Sequence, residues 1–297
     1  VLCALLVGFG LIDDVRAETD CTYPVHDAFL VTLQPGDWQG VVLSNSGADK
    51  AFLVEITPTA PSIPGAYVER YVVQPEYNGR VWNDVLRMVI PADHPPLDAH
   101  VRVYDVSSLP VIDEFDTVLE PGVWHGWGYG ETDQNRGHVV EITPLEPSVN
   151  GAHIERYVVQ PEYDGSGWYD VLRIMLAPEA PPLSVQVRVR VVTDWPILLT
   201  QRVMAEPGEP VAVGLGAATQ HHAMIAEIGP ALPATTPAIG PNVETYAIQP
   251  EFDGTQWNDV FRFVTRPEDP ATEYTVRAWM LPGVETSALY MPVAASP

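Results

Sequence analysis

The stretch "YVVQPEYDGSGWYDVLR", residues 157–173, occurs three times in one chain. It stands at 71–87 as "YVVQPEYNGRVWNDVLR" and at 246–262 as "YAIQPEFDGTQWNDVFR". Its centre is Asn78-Gly79, Asp164-Gly165 or Asp253-Gly254, a strong turn dipeptide because both residues tolerate positive φ. The stretch therefore predicts a β-hairpin with a four-residue loop, in which Tyr163 faces Trp168 across the strands. That register puts Tyr157, Val159, Pro161, Leu172 and Ile174 on one apolar face. Val158, Gln160 and Glu162 fall on the other, with Tyr169, Val171 and Arg173. Two residues strain this arrangement. Pro161 has no N–H to donate and wants an edge strand or a bulge. Asp170 lands on the core face, where a lone carboxylate is costly. The expected relief is that Asp84, Asp170 and Asp259 accept N–H bonds from the turn or pair with arginine, for which Arg87, Arg173 and Arg262 recur in step. Trp82, Trp168 and Trp257 are expected to anchor the interior of the unit that carries each of them. All nine residues are taken as structural.

Outside the hairpin the same period holds. Pro35, Pro121 and Pro207 are 86 apart, as are Glu55, Glu141 and Glu227, and the three tryptophans are spaced by 86 and 89. The three extra residues of the last copy fall between Glu227 and Tyr246, inside "GPALPATTPAIGP", which marks a loop. Such a period exceeds that of solenoid or propeller repeats and suits a small complete domain. Each unit alternates short apolar strands with Pro/Gly turns and shows no helical periodicity. "SVQVRVRVV" places Val185, Val187, Val189 and Val191 on one face and Arg188 and Arg190 on the other. The expectation is an all-β chain of three tandem antiparallel β-sandwich repeats, jelly-roll or immunoglobulin-like, at 18–111, 112–197 and 198–297. A strand before each P-G turn sits near 25–33, 112–119 and 198–205, and a similar one, "SALYMPV", lies at 287–293. Each copy either ends one unit or begins the next.

The formal net charge is −24 over 297 residues, which excludes a basic nucleic-acid-binding face and suits an exported protein. "VLCALLVGFGLI" followed by "DDVRA" reads as the apolar core and cleavage end of a signal peptide over residues 1–17, and no further apolar run is long enough to span a membrane. The mature chain is expected outside the cytoplasm, secreted or in the cell envelope, without a membrane span. Of the two cysteines, Cys3 leaves with the signal and Cys21 stands alone, so no internal disulfide is expected.

Three sharper sites suggest themselves. Calcium prefers oxygen ligands, and the hairpins offer Glu162, Asp164 and Asp170, and again Glu251, Asp253 and Asp259, although the first copy has Asn78 at the turn. A sugar surface could use aromatics on "PGVWHGWGYG", residues 121–130: Trp124, His125, Trp127 and Tyr129, together with Trp38. Catalysis has little to build on. None of the eight histidines recurs across the units, His221-His222 lacks a spaced third ligand, and no hydrolase or phosphate-loop motif is present. No cofactor is expected.

The segment "HVRVYDVSSLPVIDEFDTVLEPGVWHGWGYG", residues 100–130, resembles part of the bacterial pre-peptidase C-terminal domain family. The resemblance implies a secreted β-sandwich accessory module without catalytic residues of its own; it implies no particular site. The expected function is non-enzymatic: a structural, adhesive or binding component at the cell exterior. The alternative is a carbohydrate-binding accessory protein, with an enzyme third. The expected partner is an extracellular protein or glycan, with self-association as a further expectation.

Overall fold

The computed structural model describes residues 23–47, 50–132, 136–219, 223–231 and 243–282. The signal peptide, Cys3, Cys21, His221-His222 and the strand at 287–293 lie outside the described residues. All regular structure among the described residues is β. The first six strands are β1 (Val25–Leu33), β2 (Gln39–Asn45), β3 (Phe52–Pro58), β4 (Arg70–Tyr77), β5 (Trp82–Val89) and β6 (Leu97–Asp105). They are followed by β7 (Val111–Leu119), β8 (Trp124–Glu131), β9 (Gly137–Pro144), β10 (Ile154–Tyr163), β11 (Trp168–Leu176) and β12 (Leu183–Val192). The last are β13 (Ile197–Ala205), β14 (Val211–Ala217), β15 (Met224–Pro230), β16 (Val243–Phe252), β17 (Trp257–Thr265) and β18 (Thr272–Met280).

These strands form six three-stranded antiparallel sheets. The orders are β1-β6-β3 and β2-β5-β4, then β7-β12-β9 and β10-β11-β8, then β13-β18-β15 and β14-β17-β16. One pairing scheme thus returns every six strands, and β1–β6, β7–β12 and β13–β18 are called here the first, second and third sets. The strands at 25–33, 111–119 and 197–205 pair with β6, β12 and β18, so each begins a set rather than closing the one before it.

The hairpin has the expected register: Tyr163 faces Trp168, Pro161 faces Asp170 and Val159 faces Leu172. Its turn is made by a side chain. Asp164 Oδ1 accepts from the Ser166 and Gly167 amides, Asp253 Oδ1 from those of Thr255 and Gln256, and Asn78 Oδ1 from those of Arg80 and Val81. An asparagine oxygen serves as well as a carboxylate there, which explains Asn78. Gly165 follows at φ 97°, a left-handed conformation that glycine adopts without strain. Pro161 sits on β10, which is the edge of its sheet, so no ladder bond is lost to it.

Within a set, the inner faces of both sheets meet in one apolar cluster. For the first set it holds Leu33, Val54, Ile56, Val101 and Val103 from one sheet and Leu86 and Met88 from the other. The tryptophans correct the expectation. Each is buried, but not in its own set. Tyr77 and Trp82 belong to the second set's cluster with Ile142, Ile154, Leu172 and Val187. Trp168 belongs to the third set's cluster with Phe261, Phe263 and Tyr274. Phe252 and Trp257 belong to the first set's cluster. The contacts run first to second, second to third and third to first, and so close on themselves. The three aromatic pairs keep one geometry, with centroids 5.3, 5.5 and 5.4 Å apart and planes tilted by 51°, 50° and 47°. A further cluster draws on all three sets at matching positions: Leu53, Val139 and Ile225, and Val106, Val192 and Leu281.

Candidate functional site

The first and third hairpin tips are held in their neighbours by polar bonds as well as by their rings. Trp82 Nε1 donates to the Glu146 carbonyl at 2.7 Å, and Trp257 Nε1 to that of Ala60 at 2.7 Å. The Tyr77 amide donates to Ala152 O and the Gly151 amide to Tyr77 O, while Phe252 does the same with Ala66 and Gly65. The acceptor matching Glu146 for Trp168 falls at position 232, outside the described residues.

Where the hairpin leaves its own core and enters the next, a crevice opens between the sets. Three are seen among the described residues, at equivalent places. One is lined by Asp84, Glu141, Val73 and Tyr157, another by Asp170, Glu227, His138 and Thr132, and the last by Asp259, Glu55, Tyr71 and Thr57. In each, the hairpin's aspartate faces a glutamate from the β3, β9 or β15 strand of the next set. Both acids are buried: Asp84, Asp170 and Asp259 are 8%, 6% and 8% exposed, and Glu55, Glu141 and Glu227 are 7%, 4% and 9% exposed. The aspartate sits opposite a proline on one flank and beside a bulge of β2, β8 or β14 on the other.

The crevices differ in what they offer the aspartate. Asp84 accepts hydrogen bonds from the hydroxyls of Ser44 and Ser46, at 2.8 and 2.6 Å. The matching positions are Gly130 and Thr132 in the second set, and Gly216 and Ala218 in the third. At these two positions the hydroxyls fall from two to one to none. Burial raises the pKa of Asp84, and the two serines pull it back. Burial raises Asp170 to about 6, with His138 opposing, Glu227 adding and the Thr132 hydroxyl helping to lower it. Burial raises Asp259 to about 8, with Glu55 adding to the effect. A carboxylate loses hydration on burial, and only donors or cations return it.

The glutamate's partner differs too. Tyr104, Arg190 and Trp279 occupy matching positions on β6, β12 and β18. Tyr104 donates to Glu55 at 2.8 Å. Arg190, only 3% exposed, binds Glu141 through Nε and Nη2 and spends Nη1 on the carbonyls of Ser107 and Leu109. In the third set Glu227 accepts from the His138 amide at 2.9 Å and lies 3.4 Å from His138 Nδ1. Burial opposes charge on His138, yet the hydrogen bond and charge of Glu227, together with Asp170, leave its pKa raised.

The expected acid–arginine pairing is corrected here. Arg87, Arg173 and Arg262 bind the hairpin glutamates and not the aspartates. Arg173 Nε and Nη2 meet Glu162 Oε1 and Oε2 at 2.6 Å each, and Arg87 grips Glu76 in the same fork. Arg262 reaches only one oxygen of Glu251. The reason lies across the sheet: Arg87 and Arg173 lie over Gly40 and Gly126, where a Cβ would come within 3.0 and 2.5 Å of the guanidinium, whereas Arg262 has Ala212 beneath it. The aspartates stand three residues nearer the tip than the arginines, on the opposite face of the strand, and so are out of this pairing.

The calcium ligands are not brought together. Glu162 and Glu251 are held by arginine, Asp164 and Asp253 cap their turns, and Asp170 and Asp259 lie in the crevices. Among the described residues no group of three or more His, Cys, Asp or Glu is placed to hold a metal. The aromatics of 121–130 also separate. Trp127 and Tyr129 pack against the second set's core, with Trp127 on Phe115 and Tyr129 edge-on to His138. His125 stacks on Trp127 and accepts the Glu120 amide. Trp38 and Trp124, at matching positions in the first and second sets, are exposed, and Arg70 lies over the Trp38 ring. Glu55, Glu141 and Glu227 entered the sequence reading only as a spacing. Their signal was a lone acid recurring in a strand otherwise apolar, as in "FLVEITP" and "MIAEIGP".

No family model, curated protein or solved structure matches the chain. No helix among the described residues is long and apolar enough to cross a membrane.

Proposed function

We propose that the chain is three tandem β-sandwich repeats joined into a ring, and that it serves as a secreted or cell-surface scaffold without catalytic activity. The observation that carries this is the use to which the repeated motif is put. Its aromatic residues fill the core of the next set, its aspartate lies at the seam, and its glutamate and arginine brace the hairpin itself, so the most repetitive part of the chain is committed to holding shape. Four of the acids at the seams, Asp84, Glu55, Glu141 and Glu227, are met by serine, tyrosine, arginine or histidine of the fold itself. The exposed aromatics Trp38 and Trp124 support binding of a glycan as a second reading, because they stand at matching positions, one just before the edge strand β2 and the other opening the edge strand β8, and are 47% and 44% exposed.

Fractionation of producing cells tests the first reading. The chain is expected outside the cytoplasm, with its N-terminus following Ala17; an uncut cytoplasmic product overturns it. Hydrolysis of ester, glycoside or phosphoester substrates that disappears in an Asp84→Asn, Asp170→Asn or Asp259→Asn variant would make the crevices active sites instead. For the second reading, glycan-array binding must be lost in Trp38→Ala and Trp124→Ala.

A further inference from the structure

The three seams differ in how they are tethered. Residues 106–110 connect the first set to the second, and residues 193–196 connect the second to the third. The third and first sets are not neighbours in the chain, so contacts alone hold their seam. These are the Phe252 and Trp257 rings in the first core, Trp257 Nε1 to Ala60 O, the Val68 amide to Pro250 O, the paired bonds of Phe252 with Gly65 and Ala66, and Gln249 Nε2 to Glu69 O. One side is a plug and the other a socket. A contact of this heterologous kind closes within one molecule or between two with the same geometry.

We infer that this seam is a self-association site, in which the Phe252–Trp257 hairpin of one molecule seats in the Ala60–Val68 socket of a second copy, released for exchange when Asp259, buried in the seam beside Glu55, becomes charged. The second copy is the occupant because the socket fits a hairpin that the chain itself carries. Swinging the third set about residues 193–196 frees both of its contacts, and the partner's first and second sets rebuild them. Short connections of this type favour swapping.

The release is local to this pair. Facing Asp259 are Glu55 on β3 and Tyr71 on β4, which feels the charge of Asp259. On β6, Tyr104 donates to Glu55, and Arg102 lies opposite Glu55 in the pairing. On its own sheet, Arg262 is engaged by Glu251. Gly216 and Ala218 bring no hydroxyl where the first set has Ser44 and Ser46. Closure therefore favours the protonated acid, and opening hydrates the charged one. Since burial and Glu55 hold Asp259 near 8, the open seam gains up to about tenfold per pH unit from the ordinary carboxylate range to about pH 8, and nothing further above it. His138 titrates at the seam between the second and third sets, which parts in the same swing. The informative quantity is therefore the difference between wild type and Asp259→Asn.

The test mixes isotopically light and heavy full-length chains at about pH 5.5 and about pH 9, and counts mixed dimers by native mass spectrometry. Amide exchange at residues 64–68 is followed in parallel. Wild type is expected to form mixed dimers at the higher pH, and exchange at 64–68 to accelerate first. Asp259→Asn should cut mixed dimers at about pH 9 by tenfold or more, and Asp84→Asn, on the seam that stays shut, should leave them unchanged. Ala218→Ser restores a hydroxyl and should act like Asp259→Asn, which keeps the test open if the asparagine variant folds poorly. Monomers alone at high concentration and about pH 9 overturn the association; equal exchange in wild type and Ala218→Ser overturns the role of the acid pair. Failure of the export experiment leaves this inference standing, because it rests on the seam alone.

Discussion

Trp82→Ala separates two locations for one side chain. Trp82 is 7% exposed and sits among Ile142, Ile154 and Leu172 of the second set, although its strand belongs to the first. A buried tryptophan removes on the order of 200 Å² from water, about 5 kcal/mol at 25 cal/mol per Å² as an upper bound. Truncations of this kind typically cost about 3–5 kcal/mol. The bond from Nε1 to the Glu146 carbonyl disappears as well, and a carbonyl left without its donor adds about 1 kcal/mol. The expected loss is thus near 4 kcal/mol, measured by urea denaturation. Position matters more than size. Hydrogen exchange should accelerate at residues 150–154, where Gly151 and Ala152 bond Tyr77, and at Ile142. It should change little around Leu86 and Val101, in the core of the first set. Acceleration confined to the first core, with 150–154 still protected, refutes the assignment of Trp82 to the second.

Asp259→Asn should be at least about 2 kcal/mol more stable than wild type at about pH 9, with the gain fading toward pH 5, in paired denaturation curves. Its sign follows from the raised pKa: the protonated acid stabilises the fold at low pH, and that contribution is lost as pH rises toward about 8. Ala218→Ser should recover part of the same gain by supplying the donor that Ser46 gives Asp84; an unchanged pH profile in this variant excludes hydroxyl number as the cause of the gradation. Glu141→Gln removes the negative charge that the buried Arg190 binds through Nε and Nη2, so a loss of about 3–5 kcal/mol is expected in thermal unfolding, and a loss below about 1 kcal/mol contradicts the pairing. Gly126→Ala drives a methyl into the Arg173 guanidinium and should turn its two-oxygen grip on Glu162 into the one-oxygen contact of Arg262, costing about 1–2 kcal/mol, as a crystal structure and melt together can check.

Much of the hairpin was legible in the sequence. Turn chemistry at Asp164-Gly165 and the two-residue period fix which residues face each other, because these preferences act over a few bonds. Recurrence of Glu55, Glu141 and Glu227 in step with the tryptophans was legible too, though not its meaning. Ser44 and Ser46 lie some forty residues before Asp84, and only the pairing of β2 with β5 makes them its donors.

What the sequence determined by itself was the β content, the hairpins and their period. It could not say which core each tryptophan fills. Three near-identical sockets recur at the same spacing as three near-identical plugs, so local preference is the same for insertion at home or next door. Tertiary structure decided that, because a hairpin whose ring extends beyond its own sheet buries it only against a neighbour. The same choice set the acids face to face, and the closing contact between the last set and the first depends on a proton because no hydroxyl stands at Gly216 or Ala218.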